Sequence, residues 1–154
     1  MCMWRTPAKY RGHLRGFAGV ISPDFSVYRN MPIAQQIAHT YQNQLLGARM
    51  KADGFRVIAN IRLSGRGSTP YALAGAPRRS TIALGLHGCT RDKFNRRHVI
   101  EEVRIIGDGL VPQNLVVYGS AAFCVLDYRR EVGIPVQVFQ PDTFDRSLSR
   151  EESA

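Results

Sequence analysis

The sequence predicts an α/β fold built on a mainly parallel sheet of about five strands with flanking helices, and three observations carry that expectation. Short apolar, β-prone runs recur along the chain as FAGVIS, FRVIANI, STIALGL, LVVYG and VQVFQ. Two of the gaps between them hold apolar residues at helical spacing, and strand–helix–strand is the unit from which parallel sheets are made. The runs are continuous rather than alternating, as in strands buried on both faces.

Phe17–Ser22 is the first strand, ended by Pro23. After SPDFSVYRN, Asn30 is placed to cap a helix whose early Pro32 sacrifices no hydrogen bond in the first turn. Ile33, Ile37, Tyr41, Leu45 and Ala48 recur three or four residues apart and predict a buried stripe opposite Gln35, Gln42, Asn43 and Arg49, with Gly54 as the stop. Phe55–Ile61 is the second strand, reached by a crossover that is right-handed in nearly every parallel pair. Leu63–Arg79 is interrupted by Gly65, Gly67, Pro70, Gly75 and Pro77, which predicts a long surface loop with room for one short helical turn. Ser80–Leu86 is the third strand, followed by the turn His87-Gly88-Cys89-Thr90. A helix from about Asp92 to Ile106 turns Val99, Ile100, Val103 and Ile106 inward, pairs Arg97 with Glu101 at i,i+4, and stops at Gly107 and Gly109. Leu115–Gly119 is the fourth strand, Ala121–Val132 fits both helix and extended chain, and Val136–Gln140 is the fifth strand. Residues 4–140 therefore read as a single α/β domain and 141–154 as a polar C-terminal tail. Because the third connection has no clear helical pattern, an open sheet and a partial barrel both fit.

Composition narrows the setting. The chain has 154 residues, 44% of them hydrophobic and 21% charged, which suits one domain with a packed core. A spanning helix needs roughly 18 consecutive apolar residues, far more than any run here, and Lys9, Arg11 and Arg15 follow the N-terminus without an apolar stretch. These features predict a cytoplasmic protein with no membrane partner. Cys2, Cys89 and Cys124 are odd in number, widely spaced and without a Cys-x-x-Cys pair, so free thiols and no metal site are expected.

The formal net charge of +9 conceals a division. Residues 1–100 carry 16 Arg and Lys against 3 Asp and Glu, whereas residues 101–154 carry 5 against 9. Of the 21 basic residues 18 are Arg, whose planar fork suits bidentate contact with phosphate or carboxylate. Arg66, Arg78, Arg79, Arg91, Arg96 and Arg97 are the candidate nucleic-acid-binding face; a solvated basic surface explains the same residues equally well.

In a parallel α/β sheet, ligands collect beyond the carboxyl ends of the strands. That rule selects Asp24, Arg62 and His87 as candidate catalytic residues, and Ser26, Asn60, Tyr118, Gly119 and Ser120 as candidate ligand-binding ones. A carboxylate, a guanidinium, an imidazole and hydroxyls on one rim could act on a phosphate- or amide-bearing small molecule. Each has a plain structural alternative. Asp24 after Pro23 is a common turn former, Arg62 could simply neutralise Asp24, and His87 beside Gly88 could be a satisfied turn residue. No phosphate-binding loop, dinucleotide fingerprint or zinc-protease motif occurs, so no cofactor is assigned.

The segments GVISPDFSVYRNMPIAQQI, NQLLG, FRVIANIR, APRRSTIALGLHG and NLVVYGS resemble domain-of-unknown-function family 4417 of bacterial chromosomes, plasmids and phages. The likeness runs from about Trp4 to Gln140, and P-D-F-S-x-Y followed by M-P is its most specific part. The resemblance implies a mobile-element protein and no particular activity, and it puts Pro23, Asp24, Phe25, Ser26, Tyr28, Tyr118 and Gly119 at motif positions. Family members usually have additional segments before the P-D-F-S strand, so one or two strands are expected to be absent here, leaving a sheet edge that a second copy could pair with. A basic, glycine-rich LSGRGSTPYALAGAPRR stands where the family is more acidic and aromatic.

Two functions from different classes follow: a phage, plasmid or prophage protein that binds nucleic acid or a nucleotide-like phosphate ligand at the strand rim, and a non-enzymatic interaction protein or toxin that inhibits an acidic host protein. Salt-sensitive binding to generic nucleic acid separates the first from the second.

Overall fold

Five short strands lie side by side in the order in which the chain makes them: β1 (Val20–Ile21), β2 (Val57–Asn60), β3 (Thr81–Gly85), β4 (Asn114–Tyr118) and β5 (Val136–Phe139). Every neighbouring pair is parallel, so the sheet is open and the protein is α/β. The computed structural model describes residues 7–86, 93–119, 127, 128 and 130–140. Among the described residues are the helices α1 (Arg11–Leu14), α2 (Ile33–Ala52), α3 (Thr69–Ala74) and α4 (Lys93–Leu110), and residues 127, 128 and 130–132 are helical as well. None is long and apolar enough to cross a membrane.

Sequential parallel strands joined by crossovers of one hand must carry their helices on one face. The packing agrees. Ala59 and Ile61 of the β2 segment, Ile82 and Leu84 of β3, and Leu115 and Val117 of β4 share a cluster with Val99, Val103, Ile106 and Leu110 of α4 and Ala72 of α3. On the same face, Gly47 of α2 comes so close to β1 that a Cβ there would lie 3.0 Å from Ser22 Cβ and 3.9 Å from Val57 Cγ1. Strand order thus collects all the strand C-termini at one rim and the α2, α3 and α4 crossovers behind them.

Two readings of the sequence are corrected by this packing. Ile33, Ile37, Tyr41 and Leu45 of α2 face outward, 67, 44, 58 and 40% exposed, and Ala48 is exposed with them. The buried side is instead Gln36, Thr40, Asn43, Leu46, Gly47 and Met50. The cause is the backbone that α2 covers. The chain at 25–31 and 64–72 contains loop and turn groups that need hydrogen-bond partners, and the helix supplies them. Asn43 accepts from the Phe25 N–H and donates to the Phe25 carbonyl at 3.1 Å. His39 Nδ1 donates to the Ser26 carbonyl at 2.7 Å, and Gln44 Nε2 to the Ala72 carbonyl at 3.1 Å. Gln36 donates to the Met31 carbonyl at 2.8 Å and accepts from the Tyr71 hydroxyl at 2.7 Å and from Ser64 Oγ.

The second correction concerns Gly107 and Gly109, which continue α4 rather than stop it. A Cβ at Gly107 would collide with the ring and hydroxyl of buried Tyr128, and one at Gly109 would lie 2.6 Å from Leu73 Cδ1. These glycines mark close approach, which in a sequence looks the same as termination. Smaller differences follow the same logic. The helix start falls to Pro32 without a side-chain cap, and the short helical turn allowed for within 63–79 is α3, whose Ala72 is buried rather than on the surface. The strands are trimmed at their ends, β1 most of all. Gly54, at φ 90°, does end α2 as expected. Residues 121–126 and the tail 141–154 lie outside the described residues.

Gly107→Ala should lose about 1–3 kcal/mol in urea denaturation, although alanine is the better helix former by roughly 1 kcal/mol. Gly67→Ala, where nothing lies within 4 Å, is the control that should leave stability almost unchanged.

Candidate functional site

Where β1 ends, the Ser22 hydroxyl accepts from the backbone N–H of Asn60 at 2.8 Å and ties the two strand ends together. Pro23 then turns the chain, and with the Phe25 backbone held by Asn43, Asp24 is left at the rim. Arg62 follows β2 by two residues. Its Nε donates to Asp24 Oδ1 at 3.2 Å, and its Nη1 donates to the carbonyl of Gly85, the last residue of β3. One guanidinium therefore joins three consecutive strand ends. A Cβ built on Gly85 would lie 3.4 Å from Asp24 Oδ2, 3.9 Å from Asn60 Oδ1 and 4.0 Å from Arg62 Nη1, so all three polar groups gather over this glycine.

An open cleft of about 780 Å³ lies above the rim, and Asp24, Ser26, Arg29, Arg62, Glu102 and Tyr118 are among its lining residues. Glu102 comes from the sheet-facing side of α4 and meets Arg29 at 2.9 Å. Burial pushes its carboxyl above the usual carboxylate range, with Arg29 pulling partly the other way. The cleft thus combines two carboxylates in different surroundings with two guanidiniums. Guanidiniums at such a rim can hold an oxyanion, and a carboxyl of raised proton affinity keeps its proton to higher pH than an exposed carboxylate does.

The structure brings Asp24 and Arg62 into contact, as the adjacency of their strands predicts, and places Ser26 and Tyr118 on the same cleft. Asn60 is a layer deeper, only 8% exposed, and its Oδ1 has no hydrogen-bond partner. Gly119 closes β4 at φ 124°, its N–H donating to the Phe139 carbonyl at 2.9 Å. His87, Ser120, Arg91 and the Arg96 side chain lie outside the described residues.

The described basic positions lie at both ends of the sheet. Arg78 and Arg79 precede β3 and sit at its N-terminal end, where the Arg79 N–H meets the Leu110 carbonyl at 2.9 Å. Arg66 and Arg97 are at the opposite, C-terminal rim. Arg66 pairs with Glu101, the residue that helical spacing had assigned to Arg97. Glu102 and Arg29 are the acidic and basic cleft residues that the sequence reading missed. The available signal was helical: Glu102 is three residues from Val99 and four from Ile106, on the inward stripe of α4.

The family described as "Domain of unknown function (DUF4417)" matches residues 1–133. The chain belongs to that family. Among curated proteins, this DUF4417 chain is similar to the Gene 1 protein of Mycobacterium phage L5, 26% identical over 121 residues, and to the Gene 1 protein of Mycobacterium phage D29, 22% identical over 122 residues. Each match covers 79% of this chain but only 53% and 45% of the relative, so the chain spans about half the length of the curated relatives it matches. These matches place it among phage and other mobile-element proteins. No solved structure matches it.

Two outcomes test the site's electrostatics. Asp24→Asn should cost ~1 kcal/mol or less in denaturation, because the Asp24 side chain is 34% exposed and solvent screens its ion pair. Glu102 works in the opposite sense to an ordinary salt-bridged acid. With its folded pKa raised, its contribution to stability is present below the unfolded carboxylate pKa and is lost as pH rises through the folded value. The stability of Glu102→Gln relative to wild type should therefore climb as pH rises above the unfolded carboxylate pKa. A gap constant with pH would show that Glu102 ionises normally.

Proposed function

We propose that this DUF4417 protein binds a nucleotide-like phosphate ligand, free or as part of a nucleic acid, in the cleft at the C-terminal rim of its sheet. The observation that carries the reading is Arg62, fixed by Asp24 and the Gly85 carbonyl beside that cleft. A guanidinium held on one side by a carboxylate and a carbonyl is oriented before a ligand arrives, so less side-chain entropy is lost on binding. Arg29, braced by Glu102, offers a second cationic contact on the same cleft. Asp24 serves here as the residue that orients Arg62. The excess of basic residues over residues 1–100 supports an anionic ligand by raising its local concentration.

Fluorescence anisotropy with labelled mononucleotides and short single-stranded oligonucleotides, read at two salt concentrations, tests the proposal. Binding should weaken with salt and fall at least about tenfold in Arg62→Ala, and Arg62→Lys should not restore it, because a point charge cannot reproduce the fork. Absence of binding to every probe, or equal affinity in Arg62→Ala, overturns the reading.

A further inference from the structure

The outward ridge of α2 is an apolar surface that the fold cannot take back. Ile33, Ile37, Tyr41 and Leu45 repeat at intervals of four and remain 67, 44, 58 and 40% exposed. At ~1.5 Å per residue the ridge is about 18 Å long. Rolling the helix to bury it would break the bonds from Gln36, His39, Asn43 and Gln44 to the loops beneath. The ridge is therefore a permanent feature of the folded chain.

We propose that this ridge is a self-association surface, packing against the same ridge of a second copy about a twofold axis. Its spacing and its charge both point to that occupant. Helices whose i±4 ridges interdigitate cross at about −50°, the commonest helix-packing class, and identical ridges satisfy that geometry with no further adaptation. In the antiparallel arrangement, the axis passes between Ile37 and Tyr41, so that Ile37 faces Tyr41 of the other copy and Ile33 faces Leu45. Twofold contacts of this kind are self-complementary by construction.

Charge argues for a second copy over an acidic partner. Residues 30–48 contain no Asp, Glu, Lys or Arg, although the chain as a whole carries +9. Two like-charged molecules meet with least repulsion across such a neutral face, whereas an acidic partner gains no charge pairing there and is drawn to the arginines elsewhere. The antiparallel pairing also keeps the two Arg49 and Lys51 ends apart and opposes the helix dipoles. One ridge is a small interface by the standards of stable dimers, so a weak, concentration-dependent association is expected.

Sedimentation velocity of the full chain over micromolar concentrations tests the proposal. Wild type should shift from monomer to dimer with increasing concentration, and raising salt should not dissolve the dimer, in contrast to polyanion binding at the cleft. Ile37→Glu and Tyr41→Glu should each weaken dimerisation at least about tenfold, while Gln35→Glu, exposed on the same helix but off the ridge, should leave it intact. Circular dichroism confirms the fold of each variant, and Ile37→Ser gives the same reading without an added charge. A wild-type chain that stays monomeric throughout, a dimer that survives both Glu variants, or ridge-dependent capture of a different protein by a monomeric chain overturns it.

Discussion

Every part of this molecule depends on the rule that parallel strands laid down in sequence, with crossovers of one hand, keep their helices on one face. Here the rule runs through five strands without a reversal. All five C-terminal ends are brought to a single rim, and α2, α3 and α4 are lined up behind it. Doubly wound sheets make their ligand crevice where strand order reverses. This sheet has no reversal, and its cleft opens along the rim itself, beside α4.

Arg62 is the residue that joins the rim into one unit. It reaches backward to Asp24 beyond β1 and sideways to the carbonyl that ends β3, and both contacts lie beside the cleft. A side chain that spans three strand ends ties their alignment to the geometry of the cleft wall. Asn60 lies below it with an unpartnered carbonyl oxygen, a buried polar cost that the packing above does not relieve. On the opposite wall Arg29 and Glu102 repeat the pairing of guanidinium and carboxylate, with Glu102 deep enough for desolvation to outweigh the ion pair.

The inversion of α2 shows how a loop can command a helix. The P-D-F-S segment cannot hydrogen-bond its own backbone while running across the helix, and its needs are met by Asn43 and His39. Burying these amide and imidazole groups satisfied offsets leaving Ile and Tyr exposed, because an unmet backbone group under a helix costs about as much as burying a large side chain gains. The apolar side is then left outward, which is why the same helix both anchors the motif and presents a ridge to solvent.

The sequence by itself determined the α/β class, the number of strands, and the neighbourhood of Asp24 and Arg62, while the order of the strands in the sheet came from the tertiary structure. Each follows from local apolar runs and from adjacency in the chain. Arg62 could be placed near Asp24 because one crossover separates their strands, and no distant fold information was needed. Only the tertiary structure decided which side of α2 is buried, whether Gly107 and Gly109 end a helix or admit a neighbour, and which carboxylates reach the cleft. Periodicity marks a face as apolar but does not say what that face will meet. The deciding partners were Phe25, Tyr128 and Arg29, each supplied by a segment remote in sequence. Arg66 and Arg79 make the same point for charge. They are 13 residues apart in the chain yet stand at opposite ends of one strand layer, since α3 and the loops flanking it carry the chain from one rim to the other.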